Sequence, residues 1–303
     1  MEKDQKYDVI IVGGSYAGLS AALALGRAIR KVLVIDSGNP CNQQTPHSHN
    51  FLTQDGSRPA DISALGKSEV IKYPTVEFLE DHVDTVRGEN NDFEVSTASG
   101  QVLNAKKLVF STGVKDLMPE IPGFASCWGI SVIHCPYCHG YEYKDKVTGI
   151  LANGNIAFEM ALMIHNWTKQ LSVFTNGKSE LTDEQLQQLL QINVNVIEKT
   201  FREIVHAEGH LSHVVFTDGS SHMLDALYAR PPFEQHCSVP QQIGCEIDAS
   251  GYIKVDDFQK TSVAGVFAAG DNTSKFRAVS AAVAAGGKTG AFINHELVAE
   301  AWN

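Results

Sequence analysis

The sequence predicts an α/β fold of two nucleotide-type, Rossmann-like domains, each a three-layer βαβ sandwich, and three observations predict it. An apolar run at 7–12 leads into Gly13-Gly14-Ser15-Tyr16-Ala17-Gly18, an alanine- and leucine-rich stretch to about Arg30, a second apolar run at 31–35, and then Asp36. The same order returns when the chain is slid along itself. Val12 then falls on Leu151, Gly13 on Ala152, Ser15 on Gly154, Gly18 on Ala157 and Val34 on Val173. A further apolar run, Val266-Phe267-Ala268-Ala269, ends in Gly270-Asp271 and precedes a helix rich in small residues from about Arg277. Strand, glycine turn, helix, strand and acid is the order of a dinucleotide-binding unit.

Each element has a reason. In such a unit the turn glycines admit a pyrophosphate to the helix N-terminus, and the acid accepts hydrogen bonds from ribose hydroxyls. Ser15 replaces the middle glycine and puts a Cβ where the backbone should approach phosphate, so a phosphate-free turn stays open as a reading. Residues 75–113 alternate β-rich runs (Val76-Glu77-Phe78-Leu79, Phe93-Glu94-Val95, Leu108-Val109-Phe110) with polar turns, which predicts a β-meander and a returning strand ending at Ser111-Thr112-Gly113. In the second copy Asp36 falls on Thr175, followed by Asn176-Gly177-Lys178. NAD would want an acid there and NADP arginines. Neither is present, and Ala152 replaces the first glycine, so the nicotinamide site is expected to be degraded while its fold persists. Proline-containing stretches near Met118-Pro119 and at 230–235 are expected as hinges.

Between the two copies stands His134-Cys135-Pro136-Tyr137-Cys138-His139. Two thiols at this spacing can close a disulfide, and a neighbouring histidine can take or return the proton that decides whether a thiol attacks. His139 is the first choice for that proton and His134 the second, on the expectation of an imidazole titrating near working pH. Glu142 could orient one of them or stand exposed in a turn. Zinc held by Cys135, Cys138 and some of His134, His139 and Cys127 is the alternative, but no second ligand pair stands at a convincing spacing, and no metal is expected. Cys41, Cys127, Cys237 and Cys245 read as packing residues.

With 303 residues, 43% of them hydrophobic, the chain can bury a sizeable core. Its formal charge of −11 disfavours nucleic acid or an anionic membrane surface as a partner. The charged start, Met1-Glu2-Lys3-Asp4-Gln5-Lys6, is neither a signal peptide nor a membrane span, and six scattered cysteines suit a reducing cytoplasm.

Taken as a set, the turn at 13–18 with Asp36, Ser111-Thr112-Gly113, Cys135-X-X-Cys138 before a second nucleotide turn, and Gly270-Asp271 resemble the low-molecular-weight thioredoxin reductases over essentially the whole chain. The resemblance implies an FAD/NAD(P)-binding fold in which the second domain (118–232) is inserted into an FAD domain (1–117 and 233–303). It implies FAD contacts from Gly13, Gly14, Ser15, Tyr16 and Ala17 to the pyrophosphate, from Asp36 and Ser37 at the adenosine ribose, and from Asn42, Gln44 and His49 in the following loop. Val83, Thr112 and Gly113 join them, with Gly270 and Asp271 at the ribitol and the helix start Ala278-Val279 at the flavin pyrimidine. It makes Cys135 the thiol that exchanges with substrate and Cys138 the flavin-side one. A homodimer is implied as well.

The chain departs from the typical reductase at three places: His139 stands where an acid follows the second cysteine, Asn176-Gly177 where an arginine pair stands, and Ala152 at the second turn. These departures resemble the thioredoxin-reductase-like dithiol oxidases and pyridine-nucleotide-independent relatives, which can pass electrons from a dithiol to flavin and then to oxygen. A thioredoxin-like protein or a small-molecule dithiol or disulfide is the expected partner. A conventional NADPH-fed reductase, or a flavin-bearing redox sensor that does not turn over, are the alternatives.

Overall fold

A computed structural model describes residues 6–302; the remainder of the charged start, Met1-Glu2-Lys3-Asp4-Gln5, lies outside the described residues. The chain divides into two compact units, one of Met1–Gln43, Ala60–Lys115 and Phe233–Asn303, the other of Gln44–Pro59 and Asp116–Pro232. The loop 44–59, expected with the first domain, therefore groups with the second unit. Besides the crossings at 43/44 and 59/60 that bound this loop, the chain passes between units at 115/116 and 232/233, beside the two proline-containing stretches.

In the first unit β1 (Lys6–Val12), β2 (Val32–Asp36) and β3 (Val76–Glu80) pair in parallel. On the other side of β1 lies β6 (Val102–Phe110), parallel to it; β6 continues antiparallel into β5 (Asp92–Thr97) and β4 (Val83–Glu89). The strand Val266–Ala268 pairs in parallel with β6. Residues 76–80 thus extend the parallel sheet rather than open the meander. Parallel strands are covered on both faces, so they must be apolar throughout. Alternate side chains of β1 accordingly enter two cores: Ile10 and Val12 pack with Leu33 and Ile35, while Val9 and Ile11 pack with Val34, Leu25 and Ile293.

Helix α1 (Tyr16–Arg27) ends where Ile29 turns left-handed at φ 61, short of the expected Arg30. The C-terminal helix Val279–Ala301 packs along it through glycine. A Cβ on Gly286 would overlap the backbone of Ala17, and one on Gly290 would meet Ala24 Cβ at 2.7 Å. This close approach holds the helix start at 279 in the same unit as the 13–18 turn. Behind the sheet, fully buried Lys107 donates to Glu296 (2.8 Å), Glu300 (2.6 Å) and Asn90 (2.7 Å). Burial alone would raise Glu296, but hydrogen bonds from Lys107 and Lys260 outweigh it and hold the carboxyl low.

The second unit has a five-stranded parallel sheet in the order Asn195–Ile197, Leu171–Phe174, Thr148–Leu151, Ala226–Ala229, Val132–Ile133. Beside it runs an antiparallel sheet of Phe201–Ala207, His210–Phe216 and Ser221–Met223, which the sequence reading did not anticipate. Phe174, Phe201 and Phe216 join the two through ring contacts at 5.3–6.0 Å.

Candidate active site

The first glycine turn is shaped by what a side chain would obstruct. Gly13 has φ 101, and a Cβ there would overlap the Ser111 carbonyl; on Gly18 it would overlap the Gly13 carbonyl. Ser111 Oγ closes the turn from β6 by donating to Val12 O (3.1 Å) and Gly13 O (2.7 Å). At the end of β2, Asp36 Oδ1 accepts from the Gly14 N–H at 2.9 Å. Ser15 caps α1 with extended backbone and makes no side-chain capping bond. Tyr16 OH accepts from Asn42 Nδ2 at 3.4 Å, which brings the start of the following loop to this turn.

Other expected cofactor residues gather in the same unit. Thr112 Oγ1 is buried without a hydrogen-bond partner at the end of β6, and Gly113 follows with φ 66 and open space where a Cβ would sit. Gly270 (φ 100) faces Ala17, leaving 3.1 Å for a Cβ. Asp271 lies 3.7 Å from Arg277 and lines a cavity of about 340 Å³ with Gly270, Thr273 and Ala282. Ala278 caps the C-terminal helix in extended backbone, and Val279 opens it. Ser37 is exposed just past β2, where its carbonyl accepts from Asn39. Val83 is 2% exposed and packs into the core, so only its backbone could meet a ligand. A buried unpartnered hydroxyl, a turn with no room for Cβ atoms and a carboxylate one strand away fit an adenine dinucleotide such as FAD.

Gln44 and His49 lie in the second unit, with the redox loop. There Cys135 and Cys138 form a disulfide with Cα atoms 5.3 Å apart, across the single helical turn Pro136–His139. In this form no thiolate is available to a metal, and among the described residues no group of three or more His, Cys, Asp or Glu could hold one. Tyr137, between the cysteines, is 58% exposed and meets Trp167 edge-on at 5.6 Å. Gly140 leaves room for that indole: a Cβ would come within 3.0 Å of it.

The two histidines differ. His134 stacks on Trp128 at 5.7 Å. His139 has its Nδ1 buried with no hydrogen-bond partner; burial, then the charge of His49, push its pKa down from 6.5 to about 4. That is well below the working-pH value expected from sequence. His49 stands between Asp55 Oδ1 (3.6 Å) and Glu142 Oε1 (3.5 Å). Gln44 packs where a Cβ on Gly129 would sit. Cys127, Cys237 and Cys245 are buried, and burial pushes each thiol up, away from reactive thiolate; Cys41 is exposed, unlike the packing residue expected.

Sequence reasoning missed how the second turn is filled. Asn153 caps the helix Gly154–Ile164: its Oδ1 accepts from Gly154 N and Glu180 N, both at 2.8 Å, and its Nδ2 donates to Lys178 O at 2.9 Å. Asn153 therefore spends its amide on the loop that faces the turn. Glu180 places a carboxylate oxygen 3.6 Å from where a Gly154 Cβ would be. Thr175 Oγ1 turns inward to Gly177 O, and Asn176 Oδ1 accepts from Phe201 N. An asparagine just before a helix start was the available signal.

Comparison with known proteins agrees with this architecture. The model of the family described as pyridine nucleotide-disulphide oxidoreductase matches residues 7–286. The chain belongs to that family, whose members use FAD, and within it is thioredoxin reductase-like. It is 35% identical to thioredoxin reductase tcpT of Claviceps purpurea (strain 20.1), over 97% of this chain and 95% of that one. Among solved structures, an oxidoreductase from Agrobacterium tumefaciens superposes with a TM-score of 0.92 at 37% identity, covering 97% and 99% of the two chains. A putative thioredoxin reductase TrxB from Bacillus anthracis gives 0.92 at 30% identity with the same coverage. No helix among the described residues is long and apolar enough to cross a membrane.

Proposed function

We propose that this protein exchanges electrons between FAD and a substrate dithiol or disulfide through Cys135–Cys138, and that its nicotinamide site is degraded. Under this reading the domains are 1–117 with 233–303 and 118–232, the turn at 13–17 with Asp36 holds the dinucleotide, and Thr112, Gly270, Asp271 and the 279 helix start hold the rest. Bound there, flavin supplies a two-electron acceptor and donor matched to a disulfide. Cys135 meets substrate sulfur; Cys138 is the partner thiol; His139, neutral at working pH, takes the proton that a thiol must lose before it attacks. Tyr137 and Trp167 offer an aromatic surface beside the sulfurs, which suits a small apolar dithiol as well as a thioredoxin-like protein. Oxygen as electron acceptor, a homodimer and a cytoplasmic setting complete the proposal.

One observation carries the loss of nicotinamide: Asn153 and the 178–180 loop bond across the second turn, and Glu180 adds a negative charge where a pyrophosphate would lie. The printed names of relatives favour a second reading, an NADPH-dependent thioredoxin reductase. Anaerobic mixing of FAD-loaded protein with NADPH, NADH or dithiothreitol separates the two. We expect dithiothreitol alone to bleach the flavin; rapid bleaching by low NADPH would establish the reductase instead.

A further inference from the structure

Three tyrosines follow Cys135 closely, all in the second unit, and the fold uses each differently. Tyr143 turns inward, where its hydroxyl donates to Ile130 O at 3.0 Å. Tyr141 is exposed, but Lys144 Nζ lies 4.7 Å from its ring centroid. Tyr137 stands in the single helical turn Pro136–His139, between the two cysteines; it is exposed while Cys135 and Cys138 are half-buried. Its ring is therefore more open to solvent than the disulfide that it flanks.

Trp167 holds this ring in place. The two rings meet at 5.6 Å with their planes at 90°. Backbone bonds fix Trp167 just past the helix Gly154–Ile164: its N–H donates to Ile164 O (2.9 Å) and its carbonyl accepts from Asp145 N (3.0 Å). Gly140 completes the seat, since a Cβ there would come within 3.0 Å of the indole and would overlap Pro136 O. In an edge-on pair one ring presents its edge and the other one of its faces, so Trp167 leaves at least one face of Tyr137 uncovered.

We propose, resting on the dithiol–disulfide reading above, that Tyr137 is a specificity residue which selects small dithiols carrying an aromatic ring, and that Trp167 positions it. A molecule that reacts at Cys135 must bring one of its own sulfurs into bonding distance of a half-buried one, so the rest of it lies against the neighbouring phenol ring. To a flat protein surface an exposed ring beside recessed sulfurs is an obstacle; to a small dithiol it is a wall. An aromatic substrate gains most from that wall, by offset stacking or an edge-to-face contact on the open face of Tyr137. Because Trp167 holds the phenol before substrate arrives, little side-chain freedom is lost on binding. Tyr137 touches the substrate, whereas Trp167 acts through Tyr137 and is a positioning residue.

The test uses full-length, FAD-loaded protein without oxygen and compares two probes, 1,2-bis(mercaptomethyl)benzene and dithiothreitol. Both close to cyclic disulfides of the same ring size, and the first carries an aromatic ring. Quenched alkylation with mass spectrometry gives the second-order rate constant for the appearance of free Cys135 and Cys138 thiols with each probe. The ratio of the two constants is the readout, because a packing defect slows both probes alike. Wild type is expected to favour the aromatic dithiol about fivefold or more, and Tyr137→Phe to keep that ratio. Tyr137→Leu, a change at an exposed position, should bring the ratio down to about one. Trp167→Leu should lower it in part, and Trp167→Phe, which again offers a ring to Tyr137, should recover it. A wild-type ratio near one, or a ratio that Tyr137→Leu leaves unchanged, overturns the proposal. So does a reduced thioredoxin-like protein that reacts faster than the aromatic dithiol and loses this lead in Tyr137→Leu, which would make the ring a protein-docking residue. A wild-type pair that both small dithiols leave oxidised overturns the underlying reading, and the proposal with it.

Discussion

His139 is where the fold changes a residue's chemistry most. Free histidine gains its proton near 6.5; here burial, and then His49, depress this to about 4. The unfolded chain therefore binds the more protons between these values, so stability is full above about 6.5 and falls as the pH drops toward 4. The loss is on the order of 1–3 kcal/mol. Thermal melting followed from pH 7 to 4.5 should show a smaller slope in His139→Asn than in wild type; equal slopes would mean that His139 titrates normally in the fold. At the sulfurs, Cys138→Ser should leave FAD bound and abolish dithiothreitol-driven bleaching, read from the flavin spectrum; bleaching that survives would reassign the electron route. The cysteine pair and its flanking histidines were legible in sequence because their spacing is local. The partner of Glu142 was not: Glu142 stands exposed in a turn, the plainer of the two readings, and His49, which it meets, comes from a loop far back in the chain.

Elements were legible where one local pattern set them. The first unit's β1, glycine turn and α1 follow from an apolar run that must be buried on both faces and a turn that excludes Cβ atoms. Strand pairing was less so: Val76-Glu77-Phe78-Leu79 looks like any β-rich run, and only its register with Val32–Asp36 makes it parallel. The small residues of the C-terminal helix were visible, but not what they face. Their role yields a prediction: Gly286→Ala puts a methyl into the backbone of Ala17, and the two helices must separate. We expect destabilisation of about 1–3 kcal/mol. If that contact also seats the helix start for the cofactor, purified Gly286→Ala should carry less FAD per chain. A variant with lowered melting temperature and full FAD would confine the contact to stability.

At the scale of the whole molecule, one βαβ plan is used twice, and the copies differ most at their turns. The first copy retains Gly13, Gly14, Gly18 and Asp36; the second has Ala152, Asn153, Ala157 and Thr175, and its own side chains bond across the turn. At the two places where the resemblance would set an arginine pair, Asn176 stands at φ 53 and Gly177 at φ 138. Arginine there would be strained, and under the reading proposed above identity and conformation both oppose a grip on the 2′-phosphate of NADPH. These obstacles are separable. Asn153→Gly with Glu180→Gln removes the plug and the repelling charge while leaving 176–177 untouched. The double variant should bind both NADPH and NADH about tenfold better than wild type, a gain of about 1.4 kcal/mol, measured by calorimetric titration. It should not prefer NADPH, because no cation has been added to meet the extra phosphate. Tight NADPH binding by wild type, or a tenfold preference for NADPH in the double variant, would show that the second copy still works as a nicotinamide site and that the filled turn opens on its own.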